Sequence, residues 1–423
     1  MRSRSVSFVS RAPIAGACLL GVAFGVGSCP RLAAAAQDPA TVTLDDFTVT
    51  SQRGDVVTIK HAVFEGANLS KQEIVVMLTP DTSSVDELAL VRKLKAASIS
   101  IPSIDIAKKK GGAIHIHDVS ATDVDSGKIG KLSFSGIDGG GTGDDGPMSV
   151  KSGALHLENA DLSGALGPGG DSDQSAPMAQ LGFFSWEAVD VVAPDQDGPA
   201  RSGSIHLSLA SIESRNTFEG ATFKDSTTTL KGLTIEPSKG SEFANSLGQL
   251  GYASVQLSAS AVVRYDAGGK TLTIEDITLD YANAGSIGIK ANFGGIDPAL
   301  FGKDRGAQMA AVADGDIASL ELKFVNNGVV EKAAAYFAQQ QKTTPDALRQ
   351  QWAAAGQMLP VLLGGDPAAL NLAAEAQKFI AAPGTLTIAL RPKADALKFT
   401  DFLAMADPSA LLAKVNIEAS ANK

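Results

Sequence analysis

The sequence predicts an α+β protein that is predominantly β: a long, coiled antiparallel sheet of repeated strands, with helices mainly in the C-terminal third. Three observations carry this reading. One short phrase recurs along the first two-thirds of the chain. The composition is poor in aromatics, at 5%, and rich in glycine, with 43 among 423 residues, which suits many short strands and turns better than a thick aromatic core. After about residue 296 the period-two rhythm gives way to alanine-rich stretches with helical spacing.

The first 36 residues read as an export leader. Arg2, Arg4 and Arg11 precede the apolar stretch "APIAGACLLGVAFGVG" (12–27), which is too short and glycine-rich for a comfortable membrane span. The segment "LAAAAQ" offers small-residue cleavage after Ala36, the expected cut. The alternative is that "VGSC" (26–29) acts as a lipobox and leaves a lipidated Cys29, so the expected location is the periplasm or the exterior, or else a membrane-anchored lipoprotein.

Both cysteines, Cys18 and Cys29, lie in this leader, so a chain cut after Ala36 has no disulfide, thiolate metal site or cysteine nucleophile. The same cut removes four arginines and no acid, taking the net charge from −10 to −14. That balance argues against nucleic acid or an anionic membrane surface as a partner. No later stretch is apolar enough to span a membrane.

The region 37–295 is the repetitive β part. "GAIHIHDVSA" (112–121), "GALHLENADL" (153–162) and "GSIHLSLASI" (203–212) share one frame, with His115, His156 and His206 in the same place. Looser copies put threonine there, as in "TVTLDDFTV" (41–49), "VVTIKHAVF" (56–64), "TTTLKGLTI" (227–235), "TLTIEDITL" (271–279) and "TLTIAL" (385–390). The first half of the frame alternates as a half-buried strand does, placing Ile114 and Ile116, Leu155 and Leu157, Ile205 and Leu207, and Leu272 and Ile274 on the inward face. Beyond the polar pair the apolar residues change parity. A bulge at pairs such as His117-Asp118 or Glu158-Asn159 would return both halves to one face and coil the sheet.

Within this region "SSVDELALVRKLKAAS" predicts one helix, at about 84–97, and "SEFANSLGQLGY" (241–252) a shorter one. A three-strand run follows to residue 295. "SGIDGGGTGDDGPM" (135–148), "GPGGDSDQSAP" (167–177) and "APDQDGPARSG" (193–203) read as connections. In region 296–423, "GVVEKAAAYFAQQQ" (328–341) is helical. Thr344-Pro345 and Asp366-Pro367 open two further helices, "GTLTIALRPK" returns to strand, "DPSALLAKV" (407–415) is a short helix, and "NIEASA" closes as a strand. Leu348, Trp352, Ala355, Leu359 and Leu362 form one helical stripe suited to a core.

Chemistry-bearing motifs are absent. There is no G-x-S-x-G elbow, H-E-x-x-H, Walker loop or dinucleotide fingerprint. His115 and His117, two apart on a strand, could flank a metal, but the first position takes His or Thr interchangeably, as an exposed face tolerates and a ligand set does not. No catalytic residue and no cofactor are expected, and the chain reads as a non-enzyme.

The rhythm of "TLTIEDITLDYANAGSIGIKANFGGID" resembles the strand repeats of envelope proteins of the AsmA and TamB type. The longer stretch from "LGQLGYASVQLSASAVVRYD" also looks like uncharacterised exported proteobacterial proteins. The first resemblance implies a curved sheet with a groove that shelters lipid chains, and it carries no functional residues over. Three functions remain open: a lipid, amphiphile or envelope-protein binder in which the inward residues line a groove; a structural or adhesive β protein; and a hydrolase with an unrecognised carboxylate site.

Overall fold

The computed structural model describes residues 40–51, 54–79, 84–109, 111–143, 146–163, 179–195, 203–220, 222–302, 304–356, 358, 360, 367–393, 397–400 and 412–422. The leader with Cys29, the turn-rich 167–177, most of 193–203, and Leu359 and Leu362 lie outside them.

The expected sheet is there: the described residues form a single 18-stranded antiparallel assembly. Its strands are β1 (Ala40–Thr50), β2 (Val56–Ala67), β3 (Lys95–Ala107), β4 (Ala113–Asp125), β5 (Lys128–Phe134), β6 (Gly136–Gly143), β7 (Gly146–Ser152), β8 (Leu155–Asp161) and β9 (Gln180–Pro194). They continue as β10 (Ser204–Glu219), β11 (Thr222–Glu236), β12 (Val255–Asp266), β13 (Thr271–Tyr281), β14 (Gly285–Gly294), β15 (Asp316–Asn326), β16 (Thr385–Pro392), β17 (Leu397–Lys398) and β18 (Val415–Ala421). Pairing follows chain order through β4 and again from β9 to β16, with β17 beside β15 and β18 beside β16. β5 and β6 together form one rung against β4, and β7 and β8 form the next against β9. Hydrogen bonding continues through β14 and β15, so the sheet crosses residue 296 without a break.

The helices are α1 (Lys71–Met77), α2 (Ser84–Lys93), α3 (Glu242–Gln249), α4 (Arg305–Asp314), α5 (Val329–Gln340), α6 (Pro345–Gly356) and α7 (Pro367–Ala381). Two expectations need correction. The helix read at about 84–97 stops at Lys93, because Lys95–Ala107 alternates with period two and pairs with both β2 and β4. The glycine-rich 135–148 is a hairpin of β6 and β7, not a loose connection. Glycine fits there because the backbones of β4 and β6 approach closely: a Cβ on Gly139 would fall 2.7 Å from the Cα of Ile114.

The inferred bends exist and are aligned. Extending each constant register places Asp46, Lys60, Ser103, His117, Gly136, Gly153, Ala188, Ala210 and Gly232 in one row across the sheet. Inward apolar residues change parity there, from Leu44 to Phe47, Ile59 to Ala62 and Ile116 to Val119. Left-handed backbone marks the row at Asp46, Ala188 and Gly232, with φ of 50°, 48° and 62°, and next to His117 at Asp118, with φ of 52°. A second row runs through Gly66, Ala97, Asp123, Gly130, Asn159 and Gly182. There Asp123 and Asn159 are left-handed and each faces a glycine; a Cβ on Gly130 would lie 2.8 Å from the Cβ of Asp123.

The two creases keep the arms of each strand on one apolar face. In β1–β9 this face closes on itself. Leu44, Ile59, Phe64 and Ala121, from either side of the first crease, share one cluster with Leu69, Ile74 and Met77 at the α1–α2 hairpin. Ser70 caps α1 in a reciprocal box with Glu73. Ile116, Phe134, Ile137, Leu155 and Leu157 form the adjoining cluster.

Candidate functional site

The same inward face continues past β9 without closing. Three rows cross it, each made of directly paired residues. The first runs Ile212, Leu230, Ala259, Leu279, Ile287, Phe324, Leu386; the second Ser214, Thr228, Ala261, Ile277, Ile289, Leu322, Ile388; the third Asn216, Ser226, Val263, Ile274, Ala291, Leu320, Leu390. Ile287 is 38% and Leu322 40% exposed, values that a packed core does not leave on large aliphatic side chains. No position in the three rows is acidic or basic. The charged residues of these strands, such as Glu213, Lys231, Arg264 and Asp280, are exposed between the inward positions.

Both ends of the open stretch are walled. On the β9 side, Trp186 and Phe184 sit opposite Ile212 and Ser214 and pack into the dry cluster. At the other end α7 covers the last strands, with Phe379 edge-on to Phe324 at 5.6 Å between ring centres. Below, Ile317, Leu390, Leu397 and Val415 close the third row. The edge of β18 is sealed as well: the N–H groups of Ala419 and Ala421 donate to Asn371 and to the buried Glu375 of α7, each at 2.8 Å.

The inward residues read from the sequence therefore divide. Leu155, Ile116 and Leu157 are 1, 5 and 9% exposed and belong to the closed core, with Ile114 packed against it. Ile205, Leu207, Leu272 and Ile274 are half-buried, on β10 and β13, where the face is open.

Four of the five histidines, His61, His115, His117 and His206, stand on the outer face beside a carboxylate. His115 bonds Asp105 and His117 bonds Asp138, both at 2.6 Å, and His61 bonds Asp45 at 2.8 Å. His206 lies 2.7 Å from Asp190 and 3.4 Å from Glu236. The Asp105 hydrogen bond raises the His115 pKa above its ordinary value, and Asp190, then Glu236, does the same for His206. His115 and His117 thus hold separate acids, and among the described residues no three metal-ligating side chains converge. A depression of about 420 Å³ beside the first crease includes Asp118, Ser133, Ser135 and His156. Ser135 donates to Asp118 at 2.7 Å, and no hydrogen bond joins His156 to either serine, so a nucleophile–base pair is not assembled.

Sequence reasoning missed the polar group on the inward face of β10 and β11. Ser214 and Thr228 share a hydrogen bond at 2.9 Å, and Asn216 donates to Ser214 and to the Leu181 carbonyl. The signal was visible as polar residues at the inward parity of "SIESRN" and "DSTTTL".

Among the described residues no helix is long and apolar enough to cross a membrane. No curated protein matches the chain. A protein-family model described only as "Uncharacterized protein" matches residues 278–422, from within β13 to the last strand.

Proposed function

We propose that this is an exported protein of the bacterial envelope that shelters the acyl chain of a lipid or other amphiphile on the open inward face of β10–β15, without catalysing a reaction. One observation carries the reading. A single continuous apolar face packs into two buried clusters in β1–β9 and is then mostly half-buried across six strands, with Ile287 and Leu322 uncovered and no charge in its three rows.

The dimensions suit a chain. Four strands, β12–β15, at about 4.8 Å spacing span roughly 14 Å, close to the ~15 Å that one leaflet's chains occupy in a bilayer core. The walls at Trp186 and α7 favour one bound molecule of limited length over a continuous conduit. The leader in residues 1–36 and the strand rhythm that resembles AsmA- and TamB-type proteins support the envelope setting.

Native mass spectrometry with lipid extraction, on protein purified gently from its own envelope, tests this reading. A bound acyl species, lost in Leu322→Glu, is expected. Ligand-free protein from the same preparation would overturn it.

A further inference from the structure

We infer that the amphiphile held by this face carries an uncharged, hydrogen-bonding head, such as a glycerol ester, seated on Ser214, Asn216, Ser226 and Thr228 at the β9 end. This rests on the acyl-chain reading above and adds where the head lies and what chemistry it has.

The polar residues are not scattered. Ser214 pairs with Thr228 and Asn216 with Ser226, so all four occupy two adjacent positions on two adjacent strands. They stand where the second and third rows begin, and every later residue in those rows is apolar. A ligand lying along the rows meets hydroxyl and amide groups at one end and aliphatic side chains thereafter.

The next strand offers room. Thr228 is opposite Ala261 and Leu230 opposite Ala259, the small side chains of β12. On the β9 side Phe184 stands opposite Ser214, and Trp186, opposite the neighbouring Ile212, has a buried indole N–H with no acceptor among the described residues. All four polar residues are half-buried, accessible yet partly shielded from water, which strengthens hydrogen bonds made there.

Charge complementarity selects the head. Hydroxyls and a carboxamide both donate and accept, matching ester and alcohol oxygens. No lysine or arginine stands in the three rows to compensate a carboxylate or phosphate, and no acid to compensate an amine. Seating a charged head on this site would leave it desolvated and unpaired.

Isothermal titration of the full chain with monopalmitoylglycerol and with palmitate, at neutral pH, tests the assignment. Both carry the same chain and differ in the head. Monopalmitoylglycerol should bind about tenfold more tightly, the value of one or two net hydrogen bonds. Ser214→Ala/Thr228→Val should erase that margin and leave palmitate unchanged, whereas the outward Thr227→Val should alter neither. Ser226→Ala is the second variant, should the double one melt early. Equal or tighter palmitate binding, or equal weakening of both ligands in the double variant, would overturn the head assignment while leaving the acyl reading intact. Binding of neither ligand would overturn both.

Discussion

The two halves of this sheet are built alike and end differently. In β1–β9 two creases cross the sheet, the second of them from β2 to β9, and the inward face packs into two buried clusters, with Phe64 and Leu155 at 1% exposure. From β10 onward the second crease is not continued in the same form: Ile212, Ser214, Asn216 and Phe218 keep one parity to the end of β10. The first crease reaches Gly232 on β11, facing Ala210 on β10, where the pairing with β12 shifts register. Register shifts recur farther on, at Val262/Val263, Ile274/Ile277 and Asn292/Phe293, yet the same aliphatic alternation that makes a core in β1–β9 leaves a surface here.

Truncation should separate the halves most strongly. Leu155→Ala in the closed half should cost ~2–5 kcal/mol, through lost burial and a cavity. Leu322→Ala, already 40% exposed, should cost below about 1 kcal/mol. Urea unfolding of both variants checks this, and comparable losses would mean that the open face is packed. Next in size is the seal at the C-terminal end. Glu375→Ala leaves the Ala421 N–H without its acceptor and should cost roughly 1–3 kcal/mol. It should also expose a strand edge, read as concentration-dependent self-association in sedimentation.

How much of this was legible follows from which interactions are local. The bulge at Asp118 could be read because a polar pair interrupting a period-two pattern forces a parity change within a few residues. The rows were not legible, since which residue stands opposite Thr228 depends on registers set by every intervening turn. For the same reason Leu157 and Leu207, equivalent in their repeats, could not be assigned to core and open face from sequence. Helix α1 carries a local signal in the S-x-x-E box at Ser70 and Glu73, whereas the end of α2 is set by tertiary pairing of β3.

A crease substitution gives a smaller effect. Gly232 has φ of 62°, and a Cβ there would lie 3.1 Å from that of Ala210, so Gly232→Ala should cost roughly 1–2 kcal/mol. Thermal melts would show it, and a neutral result would mean that the crease can relax.

The smallest effect is electrostatic. His206 and His115 have raised folded pKa values, so the stability they add is fully present below about pH 6.5 and fades as pH rises through the folded values. Both side chains are more than a third exposed, which limits the gain. Unfolding midpoints between pH 6 and 8 should slope less in His206→Gln than in the parent.

The contrast itself is tested most directly by single cysteines at Ile289 and Leu157, in a Cys18→Ser/Cys29→Ser background. Thiol labelling of the folded protein should be rapid at Ile289→Cys, slowed by monopalmitoylglycerol, and blocked at Leu157→Cys until the chain unfolds. Equal labelling of the two sites, or no protection by the amphiphile at Ile289→Cys, would contradict the account.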